Sequence, residues 1–333
     1  MQIRPIDRAP PSKAAMTRSG CRNYDEDTIL GKGDISDMRS ILIIGCGYVG
    51  RRVAQVERKR GNRVVALARS TESAGQLTAR GIEAVRGDLD VPSSLTGLPT
   101  QDAIVYYFAP PPSSGTIDPR IQNFLDAIPE NARPSRVVLI STSGVYGNCQ
   151  GEWVTEDRAP RPVADRARRR LDAERRLGTW CENHFTDGVI LRVPGIYGPG
   201  RLPRKRLLAQ EPVLLEQESP WSNRIHVDDL VRACHAAAHH ARPGTVYNIS
   251  DGHPSTMTDY FNRVADAINL PRPPQITLAE AQARLSDTMQ SYLAESKRLD
   301  NRRMRQDLGV EPLYPDLSQG LRACLAAEAT KGD

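Results

Sequence analysis

Three glycines in the order Gly45-Cys46-Gly47-Tyr48-Val49-Gly50, directly after the apolar run Ile41-Leu42-Ile43-Ile44, have the types and spacing to cradle a pyrophosphate. The first lets the chain turn sharply off a strand, the second admits a phosphate against bare backbone, and the third lets the next helix press on the strand. That helix, expected from about Tyr48 to Arg60, would aim its first N–H groups, those of Tyr48 and Val49 among them, and its positive dipole end at the phosphates. Val53 and Val56 continue the apolar stripe begun at Val49, Gly61 stands where a helix ends, and Val64-Val65-Ala66-Leu67 reads as a second buried strand, which completes a βαβ unit. At the end of this second strand an acid would hydrogen-bond the free ribose hydroxyls of NAD, but the chain places Ala68, Arg69 and Ser70 there. A guanidinium beside a hydroxyl suits a phosphate, so NADP(H) is the expected cofactor, with NAD(H) as the alternative.

A second group of chemically capable residues is Arg166-Ala167-Arg168-Arg169-Arg170, followed by Asp172 and Glu174. At about 100° per residue, Arg166, Arg170, Ala173, Leu177 and Trp180 share one helix face, and Arg168, Asp172, Arg175 and Arg176 another. Two guanidinium groups thus fall on an apolar, inward face, where a charge must be paired or must meet an anion such as a cofactor or substrate. A guanidinium is not deprotonated near neutral pH, so neither can shuttle protons. Arg170 can hold ribose hydroxyls, and Arg166 can bind a carboxylate, a phosphate or a developing alkoxide. The alternative is that both snorkel round the core or pair with internal acids.

Other constellations carry less. His235, His239 and His240 include an i, i+4 pair on an alanine-rich helix, a spacing that can bind metal, but no third ligand is evident. The pattern reads as a helix surface, and no metal site is expected. Ser141 to Ser143 with His226 and Asp228 lack the strand-elbow-helix context of a hydrolase triad, and Asp228 and Asp229 read as caps of the helix after Val227.

These groups need a frame, and the alternation of apolar runs with helical patterns from Ser40 onward supplies one. Strands are expected at 40–44, 63–68, 82–86, 103–107, 136–141, 189–193 and 246–249. The fold class is therefore α/β, a Rossmann-type doubly wound parallel sheet over residues 38–250. Prolines and short helical patterns mark a substrate-lobe insertion at about 195–225, and a small C-terminal substrate lobe with closing helices is expected over 251–333. Residues 1–37 mix Pro, Ser, Gly and charges without an apolar period and read as a flexible extension, with Met38 as the expected natural start.

The 333-residue chain is long enough for a sizeable core. No apolar run approaches a membrane span, and the first residues lack the apolar centre of a signal peptide, so a cytoplasmic protein without a membrane partner is expected. Six cysteines without C-x-x-C spacing suggest reduced thiols. The net charge of +5 is small for this length, with arginines interleaved among acids, and nucleic acid is not an expected partner.

Further motifs lie where strands end: Gly87-Asp88-Leu89, Phe108-Ala109-Pro110-Pro111-Pro112, Ser141-Thr142-Ser143-Gly144-Val145-Tyr146-Gly147, Leu191-Arg192-Val193-Pro194-Gly195-Ile196-Tyr197-Gly198, Arg224-Ile225-His226-Val227-Asp228-Asp229-Leu230 and Tyr247-Asn248-Ile249-Ser250. With the glycine turn, this ordered set resembles the short-chain dehydrogenase/reductase superfamily in its extended, epimerase/dehydratase-like branch, over nearly everything from Met38 onward. The resemblance implies that Asp88 and Leu89 lie at the adenine, Ala109 along the cofactor, Thr142 at the active-site hydroxyl position, and Pro194 and Ile196 beside the nicotinamide. It also implies Arg224 as a ligand for a substrate anion, and a homodimer.

The family's catalytic tyrosine and the lysine four residues later fall, counting back from Ala173-Glu174, on Arg166 and Arg170. The chain thus resembles atypical members that keep the binding frame and lack the Tyr/Lys pair. The Asp-Glu pair of sugar-nucleotide 4,6-dehydratases is replaced by Ser143 and Gly144, which disfavours sugar dehydration. A proton for carbonyl reduction would come from Thr142 through water, from Tyr146 or Tyr197 at the substrate, or from solvent. The expectation is an NADP(H)-binding atypical reductase of a small-molecule aldehyde or ketone. The alternatives are a non-catalytic NADPH-binding sensor or scaffold and an epimerase-like enzyme for a sugar nucleotide.

Overall fold

Short apolar runs bounded by glycine and proline turns become the strands of one parallel sheet. The computed structural model describes residues 38–330, so the expectations for residues 1–37 lie outside the described residues. The first half of the chain forms β1 (Ser40–Ile44), α1 (Tyr48–Lys59), β2 (Arg63–Ala68), α2 (Thr71–Thr78), β3 (Glu83–Arg86), β4 (Ile104–Tyr107), α3 (Pro119–Asp126), β5 (Arg136–Thr142), β6 (Trp153–Val154) and α4 (Asp165–His184). There follow β7 (Asp187–Val193), β8 (Gly195–Tyr197), α5 (Arg204–Leu208), β9 (Val213–Leu214), β10 (Trp221–Ser222), β11 (Arg224–His226), α6 (Val227–His240) and β12 (Thr245–Asn248). The sheet order is β12-β7-β5-β4-β1-β2-β3, with every neighbouring pair parallel. The expected strands are all present, with ends shifted by a residue or two.

The period-2 pleat divides the core. Ile41 and Ile43 of β1 pack toward Val53 and Ala54 of α1 and Leu230 and Ala233 of α6. Leu42 and Ile44 face the other way, with Phe124 of α3 and Ala173 and Leu177 of α4. Both faces are covered, which is why these strands are apolar throughout. The strand order reverses between β1 and β4, and the crevice at their carboxyl ends is where a doubly wound sheet accepts a ligand.

The remaining elements are β13 (Ser255–Thr256), α7 (Met257–Ala267), β14 (Gln275–Ile276), α8 (Leu278–Arg284), α9 (Asp287–Leu293), β15 (Arg298–Leu299), α10 (Arg302–Leu308) and α11 (Leu317–Ala329). Two-residue ribbons tie this region to earlier segments, β13 pairing β10, β14 pairing β9 and β15 pairing β6, while a three-residue ribbon pairs β11 with β8. α11 and α7 enclose a satellite core around Tyr197, and a Cβ at Gly320 would lie 1.9 Å from the Tyr197 hydroxyl. Only a residue without a side chain fits there.

Candidate active site and cofactor groove

Each glycine of the turn performs a separate geometric task. Gly45 has φ +96°, and a Cβ on it would come within 2.5 Å of the Ala109 nitrogen, so the turn needs both the left-handed backbone and the missing side chain. A Cβ at Gly50 would lie 2.8 Å from the Gly45 carbonyl oxygen, the close helix–strand approach. At Gly47 nothing lies within 4 Å of that position, which leaves backbone open to a pyrophosphate. The groove here measures about 510 Å³, and Gly45, Gly47, Arg69 and Ser70 all line it. Arg51 and Arg80 also line it, and no acid does among the described residues. These residues fit a dinucleotide.

Several expected cofactor residues are placed differently. The Tyr48 ring turns away from the groove, between the Arg52 and Arg201 guanidinium groups, and its hydroxyl donates to the Pro199 carbonyl at 3.0 Å. Val49 packs on the core, so both contribute only as the first residues of α1. Ser70 caps α2, its hydroxyl accepting from the Ser73 N–H at 3.1 Å, which shares that oxygen between helix and groove. Asp88 closes a tight turn by accepting from the Asp90 N–H, and Leu89 is a core residue; neither lines the groove. Ala109 is buried beneath Gly45, where it shapes the turn.

Phe108 and Pro110 face this groove, and Pro111 faces a second cavity of about 520 Å³ over the sheet. Thr142, Pro194 and Ile196 line that cavity, as do Arg166, Arg170 and Arg224. Thr142 Oγ1 accepts from the Gly144 N–H at 3.2 Å, which leaves its proton free to donate outward. Arg170 donates to the Ala109 carbonyl at 3.1 Å, joining the cavity to the glycine turn. Arg224 donates to the Asn223 carbonyl at 2.7 Å and lies 4.2 Å over the Tyr260 ring. Neither Arg170 nor Arg224 forms an ion pair among the described residues, and desolvation pushes both guanidinium groups below their ordinary values.

Arg166 is held differently. Its guanidinium pairs with Glu295 at 3.0 Å and stacks 3.8 Å over the Tyr292 ring. The other Glu295 oxygen holds Lys297 Nζ at 2.9 Å, with side chains 11% and 6% exposed. Sequence reasoning missed Glu295 and Lys297, because they lie far from every motif. Backbone bonds place them: Lys297 N–H donates to the Trp221 carbonyl at 3.2 Å, and its carbonyl accepts from the Asn223 side-chain amide at 3.0 Å. Asn223 Oδ1 accepts from the Leu299 N–H at 2.8 Å, so this one buried amide pins the segment entering β15.

Two expected substrate contacts are not at the cavity. Tyr146 is buried, donates from its hydroxyl to Asn248 Oδ1 at 2.7 Å, and has its phenol pushed up to about 12 by burial. Tyr197 is enclosed against Gly320 with its phenol also raised by burial. Packing removes both as proton donors. Behind Thr142, the Arg192 guanidinium bonds Glu174 at 2.8 and 3.2 Å, Ser141 donates to the same carboxylate, and Arg192 lies 4.7 Å over Tyr146. The inward acid of α4 is thus Glu174, and Arg169 is buried more deeply than the two arginines named above.

Asp228 and Asp229 do not cap α6. His226 does, its Nδ1 accepting from the Asp228 N–H at 3.2 Å, and burial lowers this imidazole to about 3, so it stays neutral. Asp228 pairs with Arg52 at 3.8 Å, while Asp229 accepts from the Leu313 and Tyr314 N–H groups at 2.7 and 3.0 Å.

The chain belongs to the NAD dependent epimerase/dehydratase family, whose model matches residues 41–250. It is 26% identical over 219 residues to a dTDP-glucose 4,6-dehydratase from Streptomyces griseus, a match that covers 62% of each protein. Among solved structures, a conserved protein of unknown function from Silicibacter pomeroyi is similar at TM-score 0.74 and 28% identity, over 87% of this chain and 99% of that one. A UDP-glucuronic acid 4-epimerase from Bacillus cereus in complex with NAD is similar at TM-score 0.68 and 21% identity, over 88% and 98%, and shares the fold. Among the described residues no helix is long and apolar enough to cross a membrane.

Proposed function

We propose that this protein is an NADP(H)-dependent reductase acting on a small aldehyde or ketone that carries an anionic group. The observation that carries the reading is the pair Arg170 and Arg224, which line the cavity with Thr142 and form no ion pair within 4 Å among the described residues. A carboxylate or phosphate entering there would meet two desolvated cations. The preference for NADP(H) rests on Arg51, Arg69 and Arg80 with Ser70 in a groove whose lining has no acid among the described residues.

When bound, the dinucleotide supplies a hydride to the carbonyl carbon. The chain's own residues bind, orient and protonate. Arg224 and Arg170 hold the anionic end, and the Thr142 hydroxyl donates to the carbonyl oxygen. Lys297, the one ammonium among the described residues lining the cavity, delivers the proton to that oxygen and is recharged from solvent while Glu295 keeps it in place; the neighbouring guanidinium groups cannot do this. Epimerase-like action on a sugar nucleotide is the second reading, because a diphosphate would suit Arg170 and Arg224 as well as a carboxylate does.

The test is a fluorescence titration with NADPH and NADH, followed by NADPH oxidation with 2-oxo acids, acid-bearing aldehydes, phosphorylated aldehydes and uncharged aldehydes. Tighter binding of NADPH and turnover of the anionic carbonyls are expected. Arg224→Gln should raise KM, and Lys297→Ala should lower kcat by on the order of 10²-fold or more. Equal affinity for NADH would remove the role given to Arg69. Tight NADPH binding without oxidation of any carbonyl would identify a sensor or scaffold, and conversion of UDP-glucose would identify the epimerase-like reading.

A further inference from the structure

Away from both cavities, three metal-ligating side chains from two helices converge. Glu57, in the last turn of α1, is fully buried; its Oε1 lies 2.9 Å from His235 Nδ1 and 3.2 Å from His239 Nε2, both on α6. One ligand atom from each residue can be chosen so that all three lie within 4.8 Å of one another. The i, i+4 spacing of the histidines puts their rings 4.4 Å apart on the face that packs against α1. The third ligand was invisible in the sequence because it lies on a different helix, 178 residues before His235.

We propose that Glu57, His235 and His239 form a divalent transition-metal site, taken up by Zn²⁺, that staples α1 to α6. Two imidazole nitrogens and one carboxylate oxygen are a borderline-soft set suited to such an ion, and they leave a fourth position open. With metal–ligand bonds of about 2.0–2.1 Å, neighbouring ligands of a tetrahedral ion stand roughly 3.3 Å apart. The two carboxylate–imidazole separations of 2.9 and 3.2 Å lie within a few tenths of an ångström of that value, and the ligand nitrogens of the two rings are no more than 4.8 Å apart. Each imidazole gives up the N–H it aims at Glu57 and carries its proton on the other ring nitrogen, with solvent as the relay. Both histidine side chains are 13% exposed, which gives the ion an entry path.

The shell behind the ligands is already built. The Tyr106 hydroxyl of β4 donates to Glu57 Oε1, and the Asn62 side-chain amide donates to Oε2 at 2.6 Å, so the carboxylate is oriented from behind and from the side. Ligating carboxylates characteristically carry such hydrogen bonds. The staple joins the C-terminal end of the helix whose N-terminus meets the glycine turn to the helix that follows β11, and none of the three ligands lines either cavity.

Tag-free, full-length protein stripped with EDTA would be titrated with Co²⁺ and with Zn²⁺. One ion per chain is expected, with a tetrahedral cobalt spectrum free of the thiolate charge-transfer band that cysteine ligands would give, and a higher Tm on adding Zn²⁺. His235→Ala with His239→Ala should weaken binding by on the order of tenfold or more and abolish the Tm rise. Should the double variant not fold, His239→Asn, which alters a partly exposed ring, carries the comparison. No saturable cobalt spectrum in the wild type, a thiolate band, or the same affinity in the histidine variants would overturn the proposal.

Discussion

The pair Arg192–Glu174 makes the sharpest prediction. Its side chains are 6% and 4% exposed, and it backs the strand end that carries Thr142. Glu174→Gln keeps the volume and removes the charge. Arg192 then stays buried against one neutral amide oxygen, the Glu156 carbonyl at 3.5 Å and the Tyr146 ring at 4.7 Å, all poor substitutes for a carboxylate gripped at 2.8 and 3.2 Å. Arg192 is a cation whose burial opposes its charge, and the Glu174 carboxylate more than offsets this, holding it above the usual arginine range. Removing one partner of such a pair costs about 3–5 kcal/mol, and weakening the Ser141 bond adds about 1 kcal/mol. Because the amide of the variant still accepts one bond, the lower end of that sum applies, and a loss of about 4 kcal/mol is expected. At roughly 2–4 °C per kcal/mol for a domain of this size, Tm should fall by about 8–16 °C. Urea unfolding followed by the fluorescence of Trp153, Trp180 and Trp221 would measure it. Replacing both partners, Glu174→Leu with Arg192→Met, should recover most of the loss, since a packed apolar pair leaves no stranded charge. A single variant within about 1 kcal/mol of wild type, or a double variant no better than the single one, would refute the reasoning.

Asp251 accepts from the His253 N–H at 2.9 Å, yet burial pushes its carboxyl up to about 7. The folded state therefore keeps a proton that the unfolded state releases near pH 4, so this contribution to stability is complete below about pH 4 and is lost as pH rises toward 7, by up to about 4 kcal/mol. Asp251→Asn should flatten that slope, and identical urea midpoints for wild type at pH 5 and pH 8 would remove the claim. Gly45→Ala drives a Cβ to 2.5 Å from the Ala109 nitrogen at φ +96°. It should cost about 2–4 kcal/mol and abolish dinucleotide binding, as read by Tm and fluorescence titration; wild-type affinity would contradict the assigned turn.

Much of the scaffold was legible because its signals are local. The run Ile41-Leu42-Ile43-Ile44 before the glycines fixed β1, the turn and α1, and Arg69 was identifiable from its distance past Gly50. The inward turn of Arg166 and Arg170 was also readable from helical periodicity. What they meet was not, because Glu295 reaches Arg166 across 129 residues and no spacing rule spans that gap. Tyr146 and Tyr197 sit in motifs rich in functional residues, but their neighbours Asn248 and Gly320 come from distant elements that decide packing over chemistry. Asp229 was misread as a cap for the same reason: its partners, Leu313 and Tyr314, arrive from the end of the chain.

The ribbon of β6 with β15 has a consequence for synthesis. Arg298 reaches back to the Gly151 carbonyl across 147 residues, and Glu295 and Lys297 ride on the stretch just before it. On a chain made from its N-terminus, the glycine groove emerges long before this wall. All seven strands of the sheet have left the ribosome while Arg166 still waits for Glu295. The nascent chain can therefore assemble the glycine groove before the Glu295–Lys297 wall exists, and a ligand that binds only folded chain can act there as a template for maturation.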